Sequence, residues 1–308
     1  MDASKQLAGL FEEHRGHLRA VAYRMLGSLS ESEDAVQETW LRLARSDVSQ
    51  VQNLRGWLTT VVGRVCLNAL RTRDTRREQS FGLHMPDPVV SQLNGADPEQ
   101  ELLIADAVGL ALLVVLDTLS PAERLAFVLH DMFSVPFDEI AAIVERTPAT
   151  VRQLASRARR RVRQEAPLPD PDLARQRVVV DAFFAASRAG DFAALVSVLD
   201  PDIVLRSDGG PTRPIATMVI NGSTNVAGQA VTFGRLSPFV RPALINGTAG
   251  AVVVPRGDVV SIMAFVVRNG KVVSIDVLAD PGRLRRLDLA AWIPVSPPPA
   301  PSNIHSHS

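Results

Sequence analysis

Between Ser134 and Arg163 two helical patterns follow one another across a short turn, and this frame constrains the fold more than any other stretch of the chain. Phe137, Ile140, Ala141 and Val144 recur at i, i+3, i+4 and i+7, the spacing of a buried helical stripe. Glu145-Arg146-Thr147 makes the turn, without the glycine often found there. Thr147 suits an N-cap, and Pro148 suits the first helical position, where a missing N–H leaves nothing unpaired. The second helix buries Val151, Leu154, Ala155, Ala158 and Val162 and turns Thr150, Arg152, Gln153, Ser156, Arg157 and Arg160 outward. Arg and Gln pair bidentately with guanine and adenine edges, so this face suits base reading in a major groove. Arg159, Arg161 and Arg163 lie toward the far end and suit phosphates. An ordinary amphipathic hairpin with a solvated basic face competes with this reading, so support must come from elsewhere in the chain.

With 308 residues the chain is long enough for two or three domains. Its net charge is zero, which argues against nucleic acid until the charge is mapped. Residues 151–163 hold six arginines and no acid, and residues 64–77 hold Arg64, Arg71, Arg73, Arg76 and Arg77 against Asp74 alone. Acids collect at 31–38 and 117–145. One cysteine, Cys66, excludes an internal disulfide framework and a multi-cysteine metal site; in the apolar run Val61–Leu70 it reads as a core residue. The apolar run Gly109–Leu116 is too short to span a bilayer, and the acidic N-terminal region does not resemble a signal peptide. These features predict a soluble, cytoplasmic protein with no membrane contact, cofactor or metal.

Composition divides the chain into segments. Residues 5–78 are helical in pattern, beginning with a stripe of Leu7, Leu10, Phe11, His14, Leu18, Val21, Ala22 and Met25. Ser30 and Glu33 form a capping box for a helix that buries Ala35, Val36, Thr39, Trp40 and Leu43. A third helix from about Leu54 to Thr72 buries Trp57, Leu58, Val61, Val62 and Val65. Residues 79–100, with Pro86, Pro88, Pro98 and little periodicity, read as a linker. Residues 101–166 are helical again, and Ser120-Pro121-Ala122-Glu123 forms a second capping box. Within 173–290, two helices joined at Ala189-Gly190-Asp191 precede strands at Ile203–Arg206, Ala216–Asn221, Phe239–Asn246, Ala249–Pro255, Val259–Arg268 and Lys271–Leu278. Asn269-Gly270 signals a type I′ hairpin, and the whole predicts an α+β domain with a meandering antiparallel sheet. The Pro- and Ser-rich 294–308 tail is expected to be disordered.

The helix after Ser30 turns Asp34, Gln37, Glu38 and Leu41 outward, an acidic and amide face that suits docking on a basic helical partner. First-turn acids also complement a helix dipole, which accounts for Asp34 better than for Gln37 and Glu38. On the next helix Arg64, Asn68 and Arg71 share a face that leads into Arg73, Arg76 and Arg77. With the preceding Gln50, Gln52 and Asn53, this suits single-stranded or distorted DNA, and equally a solvated basic helix end.

Asp34-Ala35-Val36-Gln37-Glu38-Thr39-Trp40-Leu41, followed by Arg55-Gly56-Trp57-Leu58 and Asn68, resembles region 2 of a sigma factor. The helix–turn–helix after Ser120-Pro121-Ala122-Glu123-Arg124 resembles region 4. The two motifs in this order resemble the extracytoplasmic-function (group 4) sigma factors of the sigma-70 family, in a subgroup with a fused C-terminal SnoaL-like (NTF2-like) domain. The implied architecture is multidomain: two all-α sigma domains, a region 2 bundle and a region 4 helix–turn–helix, followed by an α+β cone. The implied partners are core RNA polymerase, at its β′ clamp helices and β flap, and promoter DNA. By the same resemblance Asp34, Gln37, Glu38 and Leu41 match the polymerase-docking face. Gln52, Asn53, Arg55, Arg64, Asn68 and Arg71 match the surface that captures the melted −10 element and a flipped base. Thr150, Arg152, Gln153, Ser156, Arg157 and Arg160 match the −35 reader. His84-Met85-Pro86-Asp87-Pro88 partly resembles the subgroup's Trp-Leu-Pro-Glu-Pro linker motif. Asp208-Gly209-Gly210-Pro211 departs by its Pro from an Asp-Gly-Gly-Gly run, and Asp280-Pro281-Gly282-Arg283-Leu284 echoes Asn-Pro-Asp-Lys-Leu.

A cone of sheet and helices often encloses a pocket, yet residues 173–290 contain no histidine. Asp276 is the best candidate for a buried carboxylate, although strand alternation is expected to aim it at solvent. The C-terminal domain is therefore expected to be a docking or gating module that contacts the helical domains and biases their spacing. The alternatives are a one-component regulator with a ligand-sensing domain, which would bind duplex DNA unaided, and a fused isomerase or cyclase.

Overall fold

The structure, a computed structural model, describes residues 2–47, 51–77, 84–93 and 109–293. Helices α1 (Asp2–Leu26), α2 (Leu29–Leu43) and α3 (Leu54–Arg77) pack as the first bundle. Leu18, Val21, Met25, Val36, Leu58, Val62 and Cys66 are fully buried at its centre. Burial pushes the Cys66 thiol up to about 12, so it stays protonated as a core side chain. Leu10, expected in the buried stripe, is exposed; Phe11 fills that place, 5.2 Å from the Trp40 ring.

The cap of α2 also differs from the expected Ser30. Gly27 adopts φ 69° and ends α1, which makes Ser28 the first extended residue and the acceptor of the Glu31 N–H. Ser30 then falls inside the first turn, and Glu33 pairs with Arg15 across the bundle.

Helices α4 (Leu110–Asp117), α5 (Pro121–Phe127), α6 (Phe137–Val144) and α7 (Pro148–Glu165) form the second unit, with a π-helical turn, Val128–Met132, extending α5. The capping box at Ser120 and Glu123 is present in both directions. No helix among the described residues is long and apolar enough to cross a membrane.

The third unit is an α+β cone. Helices α8 (Leu173–Ala189) and α9 (Phe192–Val198) meet at Gly190, whose φ of 67° makes the left-handed C-cap. The strands are β2 (Leu199–Asp208), β3 (Met218–Asn221), β4 (Val240–Ile245), β5 (Thr248–Val253), β6 (Ser261–Arg268) and β7 (Lys271–Leu278). Asn269 and Gly270 both take positive φ between the paired Arg268 and Lys271, as a type I′ turn requires.

Three features depart from the sequence expectation. The sheet is not a pure meander, because β2 runs parallel to β7. Helix α10 (Ser223–Phe233) lies where no helix is expected. Its sequence carries no charge and several β-branched residues, but Val226 and Ala227 are fully buried, so packing overrides weak propensity. Finally, the linker contributes a strand: β1 (Val90–Ser91) pairs with β4, giving the order β1-β4-β5-β6-β7-β2-β3. Periodicity cannot report a two-residue edge strand.

The sheet separates two cores. Leu205, Phe265, Val267 and Ile275 face α8 to α10, whereas Ala243, Ile245, Ile262, Ala264 and Leu278 share one apolar cluster with the helical units. Asp276 lies on this second face, beside Arg206 and Ala264 in the ladder. It is 1% exposed, contrary to the expectation that it meets solvent, because the helical units cover the face it points to. Arg206 Nη1 reaches its carboxylate at 3.1 Å and Ser274 Oγ donates at 3.2 Å. Burial raises its pKa, and Arg206 opposes that rise.

Candidate nucleic-acid interface

Helix α7 is set by its turn. Glu145 takes the left-handed conformation, φ 56°, where glycine is usual, and its N–H bonds to Ala141 O. Thr147 caps α7 by accepting the Thr150 N–H at 3.3 Å. Val151, Ala155 and Ala158 are fully buried, so the opposite face must point out. Arg152, Gln153, Ser156, Arg157 and Arg160 are all exposed there. Thr150 is half-buried, and its hydroxyl lies 2.9 Å from Thr147 Oγ1. The Arg152 guanidinium stands 5.5 Å over the Phe137 ring, which stacks at 3.7 Å on His130.

The arginines expected on phosphates divide differently. Arg159 pairs at 2.8 Å with Asp131, whose side chain is half-buried, whereas Arg161 makes only an exposed i,i+4 contact with Glu165 at 3.3 Å. Gln153, Ser156, Arg157 and Arg160 remain as one outward stripe at i, i+3, i+4 and i+7, flanked by exposed Arg163.

On α2 the residues Asp34, Gln37, Glu38 and Leu41 form a second outward stripe of the same spacing. Leu41 is 46% exposed, a large apolar side chain without protein cover. Glu38 is anchored by Arg42 Nε at 2.9 Å.

The third set lies on and before α3. Gln52 is exposed, whereas the Asn53 side chain accepts the Gly56 N–H at 3.0 Å and so serves as an N-cap. Arg55 donates to His17 Nδ1 at 3.1 Å, which leaves His17 Nε2 to donate to Thr59 at 2.9 Å. Burial, then Arg55, pushes the His17 pKa down to about 4. Arg64, Asn68 and Arg71 are exposed along one face. Arg73, which sequence grouped with them, turns inward to Leu26 O at 3.1 Å, Glu31 and Asp117. Gln50 and the side chains of Arg76 and Arg77 lie outside the described residues.

Sequence reasoning missed Arg42 and Arg45. With Trp57, Thr60 and Arg64 they line a cleft of about 380 Å³ between the end of α2 and α3. Their i, i+3 spacing was the available signal, but only tertiary packing puts them opposite Arg64.

The linker bonds the first bundle to the cone. Asp87 accepts Leu29 N–H at 3.0 Å, its carbonyl accepts Tyr23 Oη–H at 2.6 Å, and its N–H donates to Gly27 O at 2.7 Å. Arg283 Nε donates to Asp87 at 3.1 Å while its Nη1 donates to Asp208 at 2.9 Å. Asp208 also accepts Met85 N–H at 2.9 Å. Asn246 accepts Val89 N–H at 3.1 Å and donates to Tyr23 Oη at 2.9 Å. The three short motifs around residues 84–88, 208–211 and 280–284 therefore meet at one junction.

The chain is similar to known proteins over most of its length. The sigma-70 region 2 family model matches residues 10–76, and the sigma-70 region 4 model matches residues 109–162. The chain is 39% identical over 287 residues to the ECF RNA polymerase sigma factor SigJ of Mycobacterium tuberculosis, covering 89% of this chain and 91% of that protein. It is 31% identical over 285 residues to the probable ECF RNA polymerase sigma factor SigI of the same species, covering 92% and 97%. The crystal structure of SigJ superimposes with a TM-score of 0.74 at 36% identity, over 90% of this chain and 98% of that one. Two sigma-70 domains in order and similarity along nearly the whole length identify the chain as a member of the extracytoplasmic-function RNA polymerase sigma factors.

Proposed function

We propose that this alternative sigma factor divides polymerase docking and promoter recognition among three exposed faces, with residues 5–78 and 101–166 as the two DNA-facing units. Asp34, Gln37, Glu38 and Leu41 dock on the β′ clamp helices of core RNA polymerase, and the second unit rests on the β flap. Gln52, Arg55, Arg64, Asn68 and Arg71 hold the opened −10 element, with Asn53 shaping the loop and Arg42 and Arg45 adding charge to the cleft. Gln153, Ser156, Arg157 and Arg160, with Thr150 and Arg152 at their N-terminal edge, read the −35 element. The chain supplies no catalysis; the polymerase makes RNA and this subunit chooses the start.

One observation carries this reading. Gln153, Ser156, Arg157 and Arg160 stay exposed on one face of α7 while Arg159 is held by Asp131. A face kept clear in this way suits base edges.

The C-terminal domain modulates that recognition by holding the helical units in a closed arrangement. Arg64 Nη2 lies 3.5 Å from Ala142 O on α6, and a Cβ on Gly63 would come within 3.1 Å of Leu129. A −10 candidate thus touches the helix–turn–helix unit, so loading both elements requires the two units to separate. The Arg283 junction ties the linker between them to the cone.

Promoter-dependent transcription with purified chain and core polymerase tests the assignment. Glu38→Lys is expected to abolish polymerase binding without unfolding the chain. A chain that ignores core polymerase yet binds duplex promoter unaided would overturn it. Cutting the chain near Pro169 is expected to change output; unchanged output and unchanged contacts between the helical units would remove the gating role.

A further inference from the structure

The cone encloses a cavity of about 850 Å³ between α8, α10 and the inner face of the sheet. That volume lies within the range of about 300–1,000 Å³ usual for small-molecule sites. Its walls are apolar, with Phe184, Leu205, Phe233, Val240, Met263 and Val277 prominent. Several polar wall residues already have partners: Ser187 donates to Ala230 O at 2.9 Å, Ser237 to Phe184 O at 3.1 Å and Thr232 to Gly228 O at 3.0 Å. A ligand body seated against them gains by burying hydrocarbon rather than by hydrogen bonding.

Charge is confined to one place. Arg213 is the one ionisable side chain lining the cavity among the described residues, and it stands exposed at the rim on the loop between β2 and β3. Asp276 belongs to the opposite face of the sheet, where it shares Arg206 and Ser274. The cavity therefore offers a cation at its mouth and no paired acid and base for chemistry. Beside Arg213, Ile215 is 92% exposed at the same rim.

The rim loop is rooted in the linker junction. Gly209 N donates to Thr217 Oγ1 at 3.1 Å, and a Cβ at Gly209 would stand 2.3 Å from Arg213 O, so the loop base is closely folded. Immediately before it, Asp208 holds Met85 N–H and Arg283. A ligand that draws in Arg213 pulls on the residue that grips the linker between the two DNA-facing units.

We propose that this cavity binds a long-chain monocarboxylic acid, with its hydrocarbon in the cone and its carboxylate on Arg213, and that occupancy is transmitted through the Thr212–Ala216 loop and Asp208 to the linker at Met85. The full-length chain titrated with dansyl-undecanoic acid, below micellar concentration, provides the test. Saturable one-to-one binding is expected, with displacement by oleic acid about fivefold stronger than by methyl oleate, the size of one exposed ion pair. Arg213→Ala, a change at an exposed side chain, is expected to erase that preference. Met263→Trp and, from the other wall, Ala230→Trp are each expected to weaken binding at least about tenfold, with circular dichroism verifying the fold. Amide exchange at Met85 is expected to change on adding oleic acid.

Absence of saturable binding, or undiminished binding by folded Trp variants, overturns the site. Equal displacement by acid and ester overturns the role of Arg213, and an unchanged Met85 amide overturns the coupling. The titration needs no polymerase, so a failed promoter assignment and a failed cavity assignment appear in separate assays.

Discussion

Helix α7 carries its chemistry on an exposed face, whereas the His84–Ser91 segment carries its own in the interior. On α7 the buried side is aliphatic, and Arg157 and Arg160 stand exposed on the opposite face. In the linker, Met85 is fully buried, Asp87 is clasped by Arg283, and Val89 is read by Asn246. The difference separates recognition from restraint. On α7 the stripe from Gln153 to Arg160 stays on the exposed face, while a segment that must hold domains together is bonded through its backbone and its charges at once.

Five substitutions, the last read by a pH titration, test this contrast, from the largest expected effect downward. Arg283→Ala leaves the buried Asp208 and the half-buried Asp87 without their shared cation, and is expected to cost about 3–5 kcal/mol in urea unfolding. A loss as small as that of a surface substitution would break the contrast. Asn246→Ala removes the partner of Val89 and Tyr23 and forces alanine into φ 49°, with an expected loss of about 1–3 kcal/mol by the same measurement. Arg157→Ala should leave unfolding unchanged but cost about 1–3 kcal/mol in holoenzyme affinity at a single promoter position, read by scanning −35 base substitutions. Ser120→Ala, which opens a capping box exposed to solvent, should lower stability by about 1 kcal/mol in thermal melts.

The smallest effect concerns His17, beside Arg55 of the −10 set. Its pKa falls from 6.5 to about 4 on folding, so the folded state favours the neutral ring. The contribution is present above pH 6.5 and is lost as pH falls toward 4, where the unfolded chain binds a proton that the folded chain refuses. Because the ring is only partly buried, less than about 1 kcal/mol is expected. Denaturation curves between those limits should flatten in His17→Gln.

Elements governed by neighbours three or four residues away were legible without coordinates. The α2 and α7 stripes, the Ser120 cap and the Asn269-Gly270 turn all follow from such local rules. Strand β1 and helix α10 were not, since a two-residue edge strand has no period and α10 is held by burial rather than propensity. Asp276 was expected in solvent because alternation tells which residues share a sheet face, not what covers it. The internal partners of Arg73, Asn53 and Arg159 were hidden for a related reason. A sequence displays their charge or polarity, but Asp117, Gly56 N–H and Asp131 had already engaged them.

By itself, the order of residues determined the helix–turn–helix, the two outward stripes, the α+β character of the C-terminal unit and the family. Each of these rests on spacing along one element or on a contiguous motif. Only the tertiary structure decided which arginines remain available, which sheet face is dry, and that residues 84–88, 208–211 and 280–284 converge on one junction. Those outcomes depend on groups far apart in the chain, and an ion pair or a buried carboxylate is defined by what folding brings within about 3–4 Å of it.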